Sequence, residues 1–308
     1  MTGLHRDRVI PQKQNGIQEN GQNLRSTSRR LYAILRKTRW FFVVGIGGIL
    51  ANSYTKVFLT KSVSDGSLKS ACVPFLNCHA CPTARFSCPV GMIQHFAATR
   101  QIPFFLAGFL GLVGASVGRT ACGWLCPFGW LQDVLFKIRT RKFRLPKQLL
   151  PLKYLSLIVL AILLPFFTGT HWFSRLCPWG ALEAGIPWVI WNPMDSDIGQ
   201  PVIEPGMVGW LYAIKIVVLV GFLVLFVLIK RPFCRTACPL GAVYSLFNRF
   251  SLLKIRVKGT CAHCDLCRKV CPMDIRISDD PGSGECIRCL ECTVCKNIRA
   301  QWGKTHER

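Results

Sequence analysis

Acidic residues are few in this chain. Fifteen Asp and Glu face 39 Lys and Arg, for a formal charge of +24 at pH 7. Such an excess fits nucleic acid when the cations line a groove with interleaved aromatics. Here they flank apolar runs, which is the membrane pattern, and no nucleic-acid partner is expected. Histidine is scarce as well, at six residues. None lies inside the long apolar runs, which excludes a haem clasped between facing helices. There is no glycine-rich dinucleotide fingerprint, no phosphate loop and no G-x-S-x-G elbow. Residues 1–39 are basic and polar and hold no apolar core segment, so a cleaved signal peptide is not expected.

Half of the chain is hydrophobic, too much for an ordinary soluble protein. Four runs predict transmembrane helices: 40–59, 102–117, 154–170 and 207–229. The last is long enough to cross ~30 Å of hydrocarbon at about 1.5 Å per residue. Lys215 near its start can snorkel to the interface. Gly108, Gly111, Gly114 and Gly118 give the second run a small-residue face for close packing. Lys and Arg crowd 1–39 and 119–153 and nearly vanish from 171–206. By the positive-inside rule both termini face the cytoplasm, with 60–101 and 171–206 outside. The expected place is the cytoplasmic (inner) membrane, multi-pass, with lipid as a partner.

Cysteine is abundant, at 17 residues. Cys261, Cys264, Cys267 and Cys271 form C-x2-C-x2-C-x3-C, closed by Pro272. Cys286, Cys289, Cys292 and Cys295 repeat the step, with no proline after the last. This is the bacterial ferredoxin spacing, in which the fourth cysteine of a run ligates the other cluster. Two [4Fe–4S] clusters are therefore expected, one on Cys261, Cys264, Cys267 and Cys295, the other on Cys286, Cys289, Cys292 and Cys271. Zinc needs fewer cysteines at other spacings.

A second pattern organises the rest. C-P-x-G occurs at Cys88, Cys126, Cys177 and Cys238. A cysteine before proline is a ligand at a helix start, where proline is tolerated and free N–H groups favour an anionic centre. Two occurrences extend to C-x3-C-P, at Cys122/Cys126 and Cys234/Cys238. These four cysteines are expected to converge at the inner face, on a third cluster, on another metal or as plain thiols. Cys78, Cys81, Cys88 and Cys177 would gather outside, as metal ligands or as two disulfides. Cys72 is left over. His79, His95, His171, Trp172 and Glu183 lie near the outer face and are candidates to bind a quinol headgroup. No catalytic residue is assigned.

The expected fold is thus an all-α polytopic membrane protein, with four transmembrane helices in two similar halves and a small C-terminal two-cluster ferredoxin-like domain. Its parts are a basic cytoplasmic tail (1–39), a membrane domain (40–250) and the ferredoxin-like domain (251–308). With these spans and motifs, the chain resembles the NapH family over roughly residues 40 to 297. The members are polyferredoxin-like membrane subunits of quinol dehydrogenases, related to the membrane parts of NosR, CcoG and MauN. The resemblance implies electron transfer between the quinone pool and a redox partner protein. Its CcoG branch implies instead an assembly or copper-reducing factor for a partner oxidase. A redox sensor is a third, weaker reading.

Overall fold

In a computed structural model, the described residues are 31–54, 57, 59, 63, 66–191, 209–259, 261, 264–295 and 297–303. The basic tail up to residue 30 and the loop 192–208 lie outside them. The chain divides into two compact units, Met1–Thr38 and Arg39–Arg308. In the first, the described residues 31–38 are helical. Everything below concerns the second, which is mainly helical.

Two helices among the described residues are long and apolar enough to cross a membrane, Lys147–Thr168 and Trp210–Leu228. Only 22% and 11% of their most apolar windows are buried. Ile158, Phe167, Val217, Val220 and Val224 are more than half exposed. Apolar surface on this scale needs a partner phase. The second expected span is shorter, a helix over Phe104–Val117, with Phe104 and Leu112 exposed. At 14 residues it reaches about 21 Å. The first is a π-helix, Phe42–Leu50, interrupted at Ala51–Ser53 where Asn52 and Asn77 hydrogen bond to each other. Two of the four expected spans are thus seen at full length among the described residues, and part of the first, at 55, 56 and 58, lies outside them.

The four C-P-x-G cysteines all stand at helix N-caps, ahead of Pro89–Thr99, Pro127–Leu135, Pro178–Gly180 and Pro239–Asn248. Their backbones share one extended conformation, φ −65 to −79° and ψ 110 to 133°. Proline fixes the first helical φ and gives up an N–H that the helix leaves unpaired anyway. The glycine three residues on leaves space for a close neighbour. A Cβ at Gly129 would lie 3.0 Å from Nη1 of Arg231, and one at Gly241 would lie 3.0 Å from Nη2 of Arg119.

Those two arginines tie the halves together. Both are fully buried. Arg119 Nη2 donates to the carbonyl of Cys234 at 3.1 Å, and Arg231 Nη1 donates to the carbonyl of Cys122 at 3.0 Å. Arg231 also grips Asp133 with Nε at 2.7 Å and Nη2 at 2.5 Å. Arg39 shares Asp133 Oδ2 with Arg231, at 2.7 Å. Arg119 reaches Glu285 at 3.1 Å, and Lys153 pairs with the same carboxylate.

The C-terminal segment closes on itself through an antiparallel pair, β1 (Leu253–Val257) and β2 (Ile298–Trp302), with Leu253 opposite Trp302. Arg288 anchors it to the helices, donating to the carbonyls of Val117 and Asn248, each at 2.7 Å. Gly118 makes room there. Its φ is +61°, and a Cβ would collide with the Arg288 guanidinium.

Burial would raise the Asp133 carboxyl, but Arg231 and then Arg39 outweigh it and hold it below the usual range. A carboxyl depressed in the folded state stabilises above its unfolded value of about 3.9 and loses that contribution as pH falls through the folded value. Thermal unfolding should therefore shift to lower temperature below about pH 4. Asp133→Ala leaves Arg231 buried and less paired, with an expected loss of about 3–5 kcal/mol in denaturant unfolding. Unchanged stability would mean the pair bears no weight.

Candidate iron–sulfur centres

No disulfide joins any of the seventeen cysteines. Cys271, Cys286, Cys289 and Cys292 are buried together. Left-handed backbone at Arg288 (φ 48°) and Leu290 (φ 63°) bends the chain between successive cysteines. Burial pushes the Cys286 thiol up to about 11 and the Cys289 thiol up to about 12. The Cys292 thiol is raised by burial and then by Cys289, Cys286 and Cys271. Thiols raised in this way release their protons on binding metal. Of the other expected quartet, Cys267 is buried, Cys261 and Cys295 are half-buried, and Cys264 is exposed. The helix Leu266–Val270 packs on the turn Glu291–Val294 that leads to Cys295.

Cys122, Cys126, Cys234 and Cys238 are likewise brought together and buried. Burial raises the Cys238 thiol first, and the three other thiols raise it further. Gln132 Nε2 donates to Cys234 Sγ at 3.1 Å, and the Gly241 N–H donates to Cys238 Sγ at 3.3 Å. The Tyr244 hydroxyl is buried beside Cys122 and has no partner. Donors aimed at sulfur, with a further one unpaired, fit a set of thiolates holding a cluster.

Gln132 and Tyr244 were not singled out from the sequence. Each stands six residues after its C-P cysteine, as do Gln94 and Glu183. Arg119 and Arg231 were missed too, although each stands three residues before the first cysteine of C-x3-C-P. Superposing the repeats on one another exposes both positions.

Outside these sets, Cys78, Cys88 and Cys177 line one cavity together with His79. Cys81 does not. It lines the neighbouring cavity, of about 430 Å³, with Tyr54, Thr83, Trp179, Leu182 and Glu183. Cys72 is half-exposed beside Cys88. Glu183 Oε2 accepts the Cys78 N–H at 2.7 Å, and burial pushes its carboxyl up to about 8. His79, His171 and His95 form a row with ring centres 5.8 and 6.1 Å apart. Arg175 sits over Trp172, 5.5 Å from the ring centre.

Among the described residues, no three His, Cys, Asp or Glu side chains are gathered as tightly as a single ion gathers its ligands. A four-iron cluster takes one thiolate at each of four irons, so its cysteines stand farther apart. Cys88, Cys177, Cys122, Cys126, Cys238, Cys271 and Cys289 all belong to one hydrophobic core.

The arrangement is that of a ferredoxin-type iron–sulfur protein. A family model for a 4Fe-4S binding domain matches residues 99–146 and 213–258. These stretches hold Cys122 and Cys126, then Cys234 and Cys238, rather than the eight C-terminal cysteines. An uncharacterized protein of Methanocaldococcus jannaschii is 30% identical over 68% of this chain and 83% of its own length. The ferredoxin-type protein NapH of Haemophilus influenzae is 26% identical over 80% of this chain and 81% of its own. The methylamine utilization ferredoxin-type protein MauN of Paracoccus denitrificans is 32% identical over 57% and 55%. No solved structure matches. The chain belongs to the NapH-like polyferredoxin family, and electron transfer through iron–sulfur clusters is its role.

Cys289→Ser should remove about four iron and four sulfide per chain from anaerobically prepared protein. Iron content equal to the parent would remove Cys271, Cys286, Cys289 and Cys292 as a ligand set.

Proposed function

We propose that the chain is a membrane-bound electron-transfer subunit that draws on quinol and supplies a redox partner protein. The observation that carries this reading is the closeness of two thiol sets in one core. A Cβ on Gly123, beside Cys122, would stand 3.6 Å from the Cα and Cβ of Cys289, and Cys122, Cys126, Cys238, Cys271 and Cys289 share one hydrophobic core. Clusters held that close would exchange electrons directly. Clusters on Cys122/Cys126/Cys234/Cys238, on Cys271/Cys286/Cys289/Cys292 and on Cys261/Cys264/Cys267/Cys295 would supply one-electron steps. The half-exposed last set, with Cys264 open to solvent, is where a partner would meet the chain.

The lipid reading rests on the exposed apolar faces of Lys147–Thr168 and Trp210–Leu228, together with the charge bias of the loops. The cavity beside Glu183 suits a quinol headgroup. Leu182, Ile186, Pro187 and Ile190 offer apolar walls, and Glu183 has one oxygen not taken by Cys78. Oxidation of one quinol yields a quinone, two electrons and two protons, with the protons leaving on the loop 171–206 side.

The test is quinol-dependent cluster reduction in anaerobic protein, followed by EPR, with iron and copper both quantified. The double change Cys126→Ser and Cys238→Ser should remove about four iron and slow reduction of the remaining clusters at least tenfold. Reduction at the parental rate would take the inner thiols off the path. Stoichiometric copper in place of iron there would favour the metal-handling reading. A C-terminal reporter active only outside the cytoplasm should stay silent, and a signal would reverse the topology.

A further inference from the structure

The outer cysteines do not divide as C-x2-C spacing would have them. Cys78 and Cys81 share one buried cluster but line different cavities. Cys78 turns toward Cys88 and Cys177, and Cys81 Sγ is hydrogen bonded to Thr83 Oγ1 at 3.0 Å in the other cavity. His79 lines the same cavity as the three cysteines. Its place is built into the fold. His79 Nδ1 lies where a Cβ on Gly91 would stand, and Gly91 closes the C-P-x-G of Cys88. On the facing repeat, Cys78 Sγ would lie 3.4 Å from a Cβ on Gly180, which closes the C-P-x-G of Cys177. Each outer glycine thus admits one donor of the neighbouring loop, as each inner glycine admits an arginine. Backbone N–H groups of Gly91 and Val90 face Cys88, and those of Gly180 and Trp179 face Cys177. The inner set has the same feature at Cys126 and Cys238.

We infer that Cys78, His79, Cys88 and Cys177 hold an additional four-iron cluster with three thiolate ligands and one imidazole, and that Cys81 is not a ligand. The inference rests on the reading of the chain as an iron–sulfur electron carrier. A cluster is chosen over a single zinc ion because the proposed role is one-electron transfer, and zinc has no redox chemistry. Imidazole in place of a thiolate removes one negative charge from the centre and raises its potential. Trp179 lines both this cavity and the one beside Glu183, and the bond from the Cys78 N–H to Glu183 joins them directly. The centre is therefore the one nearest the proposed quinol cavity. It would accept one electron at a time, with no bond to a ligand made or broken. A high potential suits a first acceptor.

The experiment uses the full chain, purified anaerobically, with iron, sulfide and zinc quantified and the reduced protein examined by electron–nuclear double resonance. Expected are a nitrogen coupling that shifts on 15N-histidine labelling, and a loss of about four iron in His79→Ala. Cys81→Ser should keep the parental iron content and the coupling. His79→Cys should keep the iron, lose the coupling and lower the midpoint potential of one centre. The inference is overturned by parental protein with no coupled nitrogen, by iron loss in Cys81→Ser but not in His79→Ala, by stoichiometric zinc released in His79→Ala, or by outer thiols that label only after reduction. Cys289→Ser serves as the control on the wider reading. If that variant loses iron while the outer variants lose none, only the His79 site fails. If neither loses iron, the carrier reading itself fails.

Discussion

The reciprocal grip of two buried arginines is the interaction on which the rest depends. Arg119 from the first half bonds the Cys234 carbonyl of the second, and Arg231 bonds the Cys122 carbonyl of the first. A buried guanidinium is tolerated only when its charge is paired and its donors are used. Asp133 and Glu285 supply the charge, and Glu285 lies in the ferredoxin-like segment. One set of contacts therefore sets the register of the two halves, the spacing of the inner thiols and the seat of the C-terminal cysteine runs. The arginines also leave positive charge beside cysteines that are anionic when they ligate. That arrangement stabilises bound thiolates in a core that otherwise favours neutral thiols.

The C-P-x-G repeat shows how little sequence such a site needs. Cysteine at the N-cap puts sulfur against unpaired N–H groups, proline secures the first turn, and glycine opens a slot. What fills the slot differs between the sets. At Gly129 and Gly241 it is an arginine of the other half, and at Gly91 and Gly180 it is a donor from the loop 77–81. The position six residues after the cysteine reaches across to a partner in three of the repeats. Gln94 meets Ser174, Gln132 meets Cys234, and Glu183 meets the Cys78 N–H. The same device, used four times, makes one core studded with thiols.

The sequence by itself determined the ligand chemistry. Cysteine spacing, the C-P-x-G repeat and the apolar runs are local patterns, and the backbone between neighbouring cysteines leaves few ways to arrange them. The helix starts at Pro89, Pro127, Pro178 and Pro239 follow from proline's fixed φ and are readable for the same reason. Only the tertiary structure decided which groups meet across long separations. Arg231 and Cys122 are 109 residues apart, and nothing local links them. His79 packs on Gly91 and Cys81 bonds Thr83 because of how the loop folds, not because of their spacing. The first apolar run breaks at Asn52, which bonds Asn77 far along the chain. In each case the cost of burying a polar group without a partner chose the arrangement, and that partner is known only once the chain is folded.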